Sequence, residues 1–144
     1  MAKLGRYSAD RKKIEALSAA KTVEVADCGT VFIVAQAAGA AYDITLPTPA
    51  AAGKGWWCKF ILGTAAAKNV TITGAANSIN SVELGALAGD ADTLNNPGNT
   101  ITFVGTDGVR TNEVGDQVEL VSDGSAWYAL CASGLDGGIT VSDV

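Results

Sequence analysis

Tyr42-Asp-Ile-Thr-Leu-Pro47, followed by Gly53-Lys-Gly-Trp-Trp-Cys-Lys-Phe-Ile-Leu62, decides the fold class. In the first stretch Tyr42, Ile44 and Leu46 point one way and Asp43 and Thr45 the other, the period of a half-buried strand. Pro47 and Pro49 end it, because neither can donate to a sheet ladder. In the second, Trp56, Cys58, Phe60 and Leu62 share a face, leaving Trp57, Lys59 and Ile61 opposite. That second face is amphipathic, as expected of an interface rather than of open water. A related cadence, Gly115-Asp-Gln-Val-Glu-Leu-Val-Ser-Asp-Gly-Ser-Ala-Trp-Tyr-Ala-Leu-Cys131, lies near the other end. Its Asp-Gly step predicts a hairpin that pairs Gln117–Val121 with Ala126–Leu130. Hairpin geometry is expected to fix the aromatic positions in both stretches.

Outward from these stretches the period of two persists. Thr22–Ala26 alternates, Asp27-Cys-Gly29 reads as a turn, and Thr30–Ala35 is a continuous apolar run suited to a strand covered on both faces. Asn69–Thr73 and Thr100–Val104 are further strands, and Ile139-Thr-Val141 predicts an added edge strand. Residues 74–99 hold a short strand or two and a long loop through Gly89–Gly98, a length typical of functional or mobile loops. No exact internal repeat stands out. The expectation is an all-β fold: a compact β-sandwich or barrel of about eight to ten short strands.

Residues 7–20 give the one stretch that reads as a helix. Ser8 suits an N-cap, Asp10 the first turn, and Ile14 and Leu17 share a face at i, i+3. The apolar stripe is narrow, so the helix is marginal alone. The chain therefore divides into a basic arm or short helix over 1–21 and a β-rich body over 22–144.

Charge follows the same division. The net charge is −5, yet residues 1–21 hold six basic and two acidic residues, or +4, and residues 22–144 hold four basic and thirteen acidic, or −9. Such a leader suits an acidic protein surface, whereas the body repels nucleic acid and anionic membrane. Only 17% of residues are charged, fewer than in most globular chains, which fits a surface largely set against other protein. The start, Met-Ala-Lys-Leu-Gly-Arg, has no apolar core of a signal peptide, so synthesis in a cytosol is expected.

Reaction chemistry is poorly supplied. There is no His, the commonest general base near neutral pH. No Gly-x-Ser-x-Gly elbow occurs, and Gly53-Lys-Gly55 lacks the spacing of a phosphate loop. Asp116, Glu119 and Asp123 are close in sequence, but around a hairpin such carboxylates are ordinarily solvated. Asp90 and Asp92 with Asn95 and Asn96 offer oxygen ligands without the closing Glu of a calcium loop. Cys28, Cys58 and Cys131 form no CxxC and are odd in number, which suggests neither a disulfide framework nor a zinc site; Cys58 and Cys131, in apolar strands, read as small hydrophobes. Trp56, Trp57 and Trp127 would serve a sugar platform only if exposed; in strands they are more often core or interface anchors. No enzyme, cofactor, metal or small-molecule substrate is expected.

Gly5–Glu15, Ala26-Asp-Cys-Gly-Thr-Val-Phe32, Ile44-Thr-Leu-Pro47, Gly55-Trp-Trp-Cys-Lys-Phe60 and Gly115–Tyr128 resemble capsid decoration (cement) proteins of tailed bacteriophages. The likeness runs over nearly the whole chain. It implies a non-enzymatic homotrimer, made in the host cytoplasm and seated on the outer surface of the virion capsid. Its place there is at three-fold and quasi-three-fold positions, where it stabilises the shell. Arg6, Tyr7, Arg11, Lys12 and Lys13 would then contact the phage major capsid protein. The trimer contact would involve Trp56, Trp57, Lys59 and Ile61, with the choice between the two faces of that strand open. The Leu-Pro … Gly … Trp and Ser-Asp-Gly … Trp-Tyr elements also occur in phage tail fibres. The alternative is therefore a tail-fibre or receptor-binding β-module that contacts host glycan.

Overall fold

A computed structural model describes residues 11–35, 39–84, 97–105 and 112–143. Arg6 and Tyr7, and the Asp90–Asn96 stretch considered for a cation, lie outside the described residues. Eleven strands are described, in two sheets packed as a sandwich. They are β1 (Lys13–Leu17), β2 (Lys21–Thr22), β3 (Thr30–Val34), β4 (Tyr42–Thr45), β5 (Lys54–Leu62), β6 (Val70–Thr73), β7 (Ile79–Leu84), β8 (Thr100–Phe103), β9 (Gln117–Asp123), β10 (Trp127–Ala132) and β11 (Ile139–Ser142). One sheet runs β1-β3-β5-β9-β10-β7, the other β11-β8-β6-β4-β2.

The first six strands do not form hairpins. β1, β3 and β5 pair in parallel in one sheet while β2, β4 and β6 pair in parallel in the other. The chain thus crosses between the sheets at every step, as in a short solenoid. Phe32 stands beside Phe60, Ile33 beside Ile61, Ile44 beside Ile72 and Thr45 beside Thr73. Every one of these pairs is 28 residues apart, so the sequence does carry a structural repeat. The two Phe rings stack with centroids 5.0 Å apart. The expected hairpin geometry over residues 42–62 is therefore corrected: β4 and β5 lie in opposite sheets. Between them a single helical turn, α1 (Pro49–Ala52), makes the crossing. Thr48 Oγ1 caps it by accepting from Ala51 N, Pro49 fits its first turn, and Gly53 at φ 84° ends it.

Beyond β6 most pairs are antiparallel, although β7 lies parallel to β10 at the end of its sheet. The predicted hairpin is β9–β10, with Trp127 opposite Ser122. Asp123 Oδ1 accepts from Ser125 N and Ala126 N, and Gly124 takes φ 90°. The predicted edge strand is β11, on β8.

The predicted N-terminal helix is also corrected. Lys13–Leu17 is a strand, and Ile14 and Leu17 face opposite ways: Ile14 is 66% exposed, Leu17 only 6%. Parallel pairing with β3 and burial of Leu17 explain the outcome, and ion pairs add a smaller contribution. Lys13 and Lys21 reach Asp27 at 3.4 and 3.6 Å, and Lys21 meets Glu15 at 2.8 Å. Residues 13–21 thus belong to the sandwich, and Lys21 covers its end by lying over the Phe32 ring. Thr22–Ala26 is shorter as a strand than expected, since only Lys21–Thr22 pairs before a 3-10 turn at Val25–Asp27.

Candidate interaction surfaces

The interior is apolar. Phe32, Phe60, Phe103, Ile44, Ile72, Ile101, Leu62, Leu120 and Trp127 are among its fully buried side chains. Trp56 is 4% exposed; its ring meets Trp127 and its Nε1 donates to Val25 O at 2.8 Å. Trp56 is therefore a core residue, and its expected place at a trimer contact is corrected. The alternation that buries Trp56, Cys58, Phe60 and Leu62 turns Trp57, Lys59 and Ile61 outward, each half-buried. With two of its three Trp in the core, the sugar platform is not assembled.

Potential reactive groups are likewise drawn into the fold. Asp116 is buried and accepts from Glu113 N, Ser133 Oγ and Gly134 N at 2.8–3.1 Å. Asp116 immediately precedes β9, whereas Glu119 and Asp123 lie on that strand's exposed side, so the three carboxylates are not brought together. Asn112, which sequence reasoning passed over, clamps two loops: it accepts from Ala66 N and donates to Ala66 O and Val104 O. Burial pushes the Cys131 thiol up to about 12 and Cys58 further in the same direction. Among the described residues no group of three or more Cys, Asp and Glu is placed to hold a metal ion. Nor is any described helix long and apolar enough to cross a membrane.

What remains is surface, and the two outer faces differ sharply. On the five-stranded sheet, Thr22, Thr45, Thr73, Thr100 and Ser142 form one cross-strand row and Asp43, Thr71, Thr102 and Thr140 the next. This face is hydroxyl-lined. On the six-stranded sheet the rows are mostly apolar. One runs Asn80, Tyr128, Val121, Trp57; the next Val82, Leu130, Glu119, Lys59, Val31, Ile14; the third Leu84, Ala132, Gln117, Ile61, Ile33, Ala16. Val82 and Leu84 are each 58% exposed, Tyr128 52% and Leu130 47%. A groove of about 460 Å³ runs among Asn80, Val82, Glu119, Val121, Tyr128 and Leu130.

The basic residues expected to dock are partly engaged by this same body. Lys12 Nζ lies 5.2 Å from the centre of the Trp57 ring, a cation–π contact, and Lys13 is paired to Asp27. Arg11 is exposed. Comparison with protein-family models, with curated proteins and with solved structures finds no match to this chain.

Proposed function

We propose that this chain is a capsid decoration protein, a homotrimer that binds the outside of a phage head at three-fold and quasi-three-fold positions and stabilises the shell. One structural observation carries most of the reading: a broad apolar sheet face lies outside a core whose own apolar side chains are already packed. The sequence resemblance and the basic leader supply the rest. A face of that kind suits contact with protein. With Lys13 held by Asp27, docking falls to Arg6, Tyr7, Arg11 and Lys12, ahead of or at the edge of β1.

The mechanism is mass action. A module that binds only assembled shell adds its binding free energy to that state. Three leaders on one trimer raise the avidity far above that of a single leader. The direct test mixes the purified chain with undecorated heads and sediments them. Saturable binding at hundreds of copies per head, weakened by salt, is expected. A form lacking residues 1–12, which spares β1, should fold and fail to bind. Retained binding by that form, or no binding by the full chain, would refute the reading; selective capture by cell-surface glycan would favour the tail-fibre alternative.

A further inference from the structure

We infer that the outer face of the six-stranded sheet is where copies of this chain pack on one another, with Val82, Leu84, Tyr128 and Leu130 at its heart. The inference deepens the proposed function and rests on it only for the number of copies.

Four features favour a second copy over a foreign partner. First, the two charges in the middle of the face are Lys59 and Glu119, 3.8 Å apart on the adjacent central strands β5 and β9. They neutralise each other, so the centre offers no field to select an acidic or basic partner. A copy approaching the same region brings the same pair, and each Lys59 can meet a second Glu119.

Second, the halves of the face are unlike. The β7–β10 half projects Val82, Leu84, Tyr128 and Leu130, well exposed. On the other half Ile14 projects at the β1 edge, while along β3 Ile33 is half-buried and Val31, though outward, is 4% exposed, leaving a flat strip there. The projecting β7–β10 side chains of one copy find that flat strip along β3 in a neighbour.

Third, the size is right. Six strands about 4.8 Å apart and roughly 20 Å long give on the order of 500 Å² of flat sheet. Side-chain relief raises the accessible area towards the ~800 Å² per partner of an ordinary stable complex. Three such sheets, each about 24 Å across, form a triangular prism whose walls stand roughly 7 Å from the axis, near the ~5 Å half-spacing of packed sheets. A three-fold arrangement is therefore accommodated. Fourth, among the described residues the opposite outer face, with its Thr rows, has no comparable apolar surface, which favours association on one side.

The experiment is sedimentation equilibrium of the full chain and of Val82→Glu, Leu130→Glu and Thr140→Glu, each checked for native β circular dichroism and cooperative melting. Val82, Leu130 and Thr140 are all exposed, so none of the changes disturbs the core. The unaltered chain and Thr140→Glu should associate alike, and the two face variants should lose roughly 30-fold or more in association constant. A monomeric unaltered chain, or face variants that associate undiminished, would overturn the inference. A dimer dissolved by the face variants would uphold it while contradicting the three-fold assembly. Association without any binding to heads would uphold it while refuting the decoration role.

Discussion

Trp56 and Trp127 meet edge to face on the inner side of the six-stranded sheet, ring centroids 5.4 Å apart and planes at 73°. They sit on β5 and β10, separated by β9, and the residue opposite Trp127 on β9 is the small Ser122. Ser122 leaves room for the rings to touch, and its Oγ donates to Pro49 O, tying α1 to the same place. The contact therefore joins three strands and the crossing turn.

Trp127→Ala should cost about 3–5 kcal/mol, the range for emptying a fully buried aromatic site. Urea unfolding checks this, and the near-ultraviolet dichroism of the coupled indoles should collapse. Trp57→Ala, on the half-buried outer side, should cost much less.

Alkaline stability should depend on Tyr42. Burial pushes its phenol up to about 12, and its hydroxyl donates to Ala35 O at 2.6 Å. The folded form holds the proton more tightly than the unfolded chain, so this contribution is complete below pH 10 and lost between about 10 and 12. Tyr42→Phe should lower stability by about 1 kcal/mol at neutral pH. Its melting temperature should then fall less steeply than that of the unaltered chain across that window.

Acid should act through Asp27. Burial raises its carboxyl, but the Glu24 N–H, Lys21 and Lys13 together outweigh that and hold it below its ordinary value of 3.8. The stabilisation is present above about pH 4 and disappears as pH drops through the lowered value. Asp27→Asn should cost about 1–2 kcal/mol at pH 7 and flatten the acid limb of a stability–pH curve.

The thiols should divide cleanly. Cys28 is exposed, whereas Cys58 and Cys131 are buried with raised pKa values. A thiol reagent at pH 8 should modify one Cys in the native protein and three after unfolding. Fast modification of Cys58 in the native state would contradict the packing described.

Sequence periodicity reaches as far as burial and no further. Alternation at Tyr42–Thr45 and Val70–Thr73 tells which side chains turn inward, and both strands bury those residues. It carries no information on which strand lies alongside, so it does not show the parallel coils. A legible signal existed: Phe32-Ile33-Val34 precedes Ile44-Thr45 by the same interval that separates Phe60-Ile61-Leu62 from Ile72-Thr73. Ile14 and Leu17 share a face only in a helix, and the parallel ladder of β1 on β3, which no local pattern carries, makes the segment a strand.

The outer face was half legible for a related reason. Trp57, Lys59 and Ile61 were visible as a second face, though two-fold alternation alone does not say which face is the core. Trp127-Tyr-Ala-Leu-Cys131 is apolar at every position, the mark of a strand covered on both sides. That pattern points at Tyr128 and Leu130, which hairpin pairing alone leaves as solvent-facing positions.

If the chain reinforces an assembled shell, calorimetry of undecorated heads gives the most direct reading. The shell's melting transition should move to higher temperature as the chain is added and reach a plateau once the sites are filled. A transition that stays put at saturating chain would contradict the account.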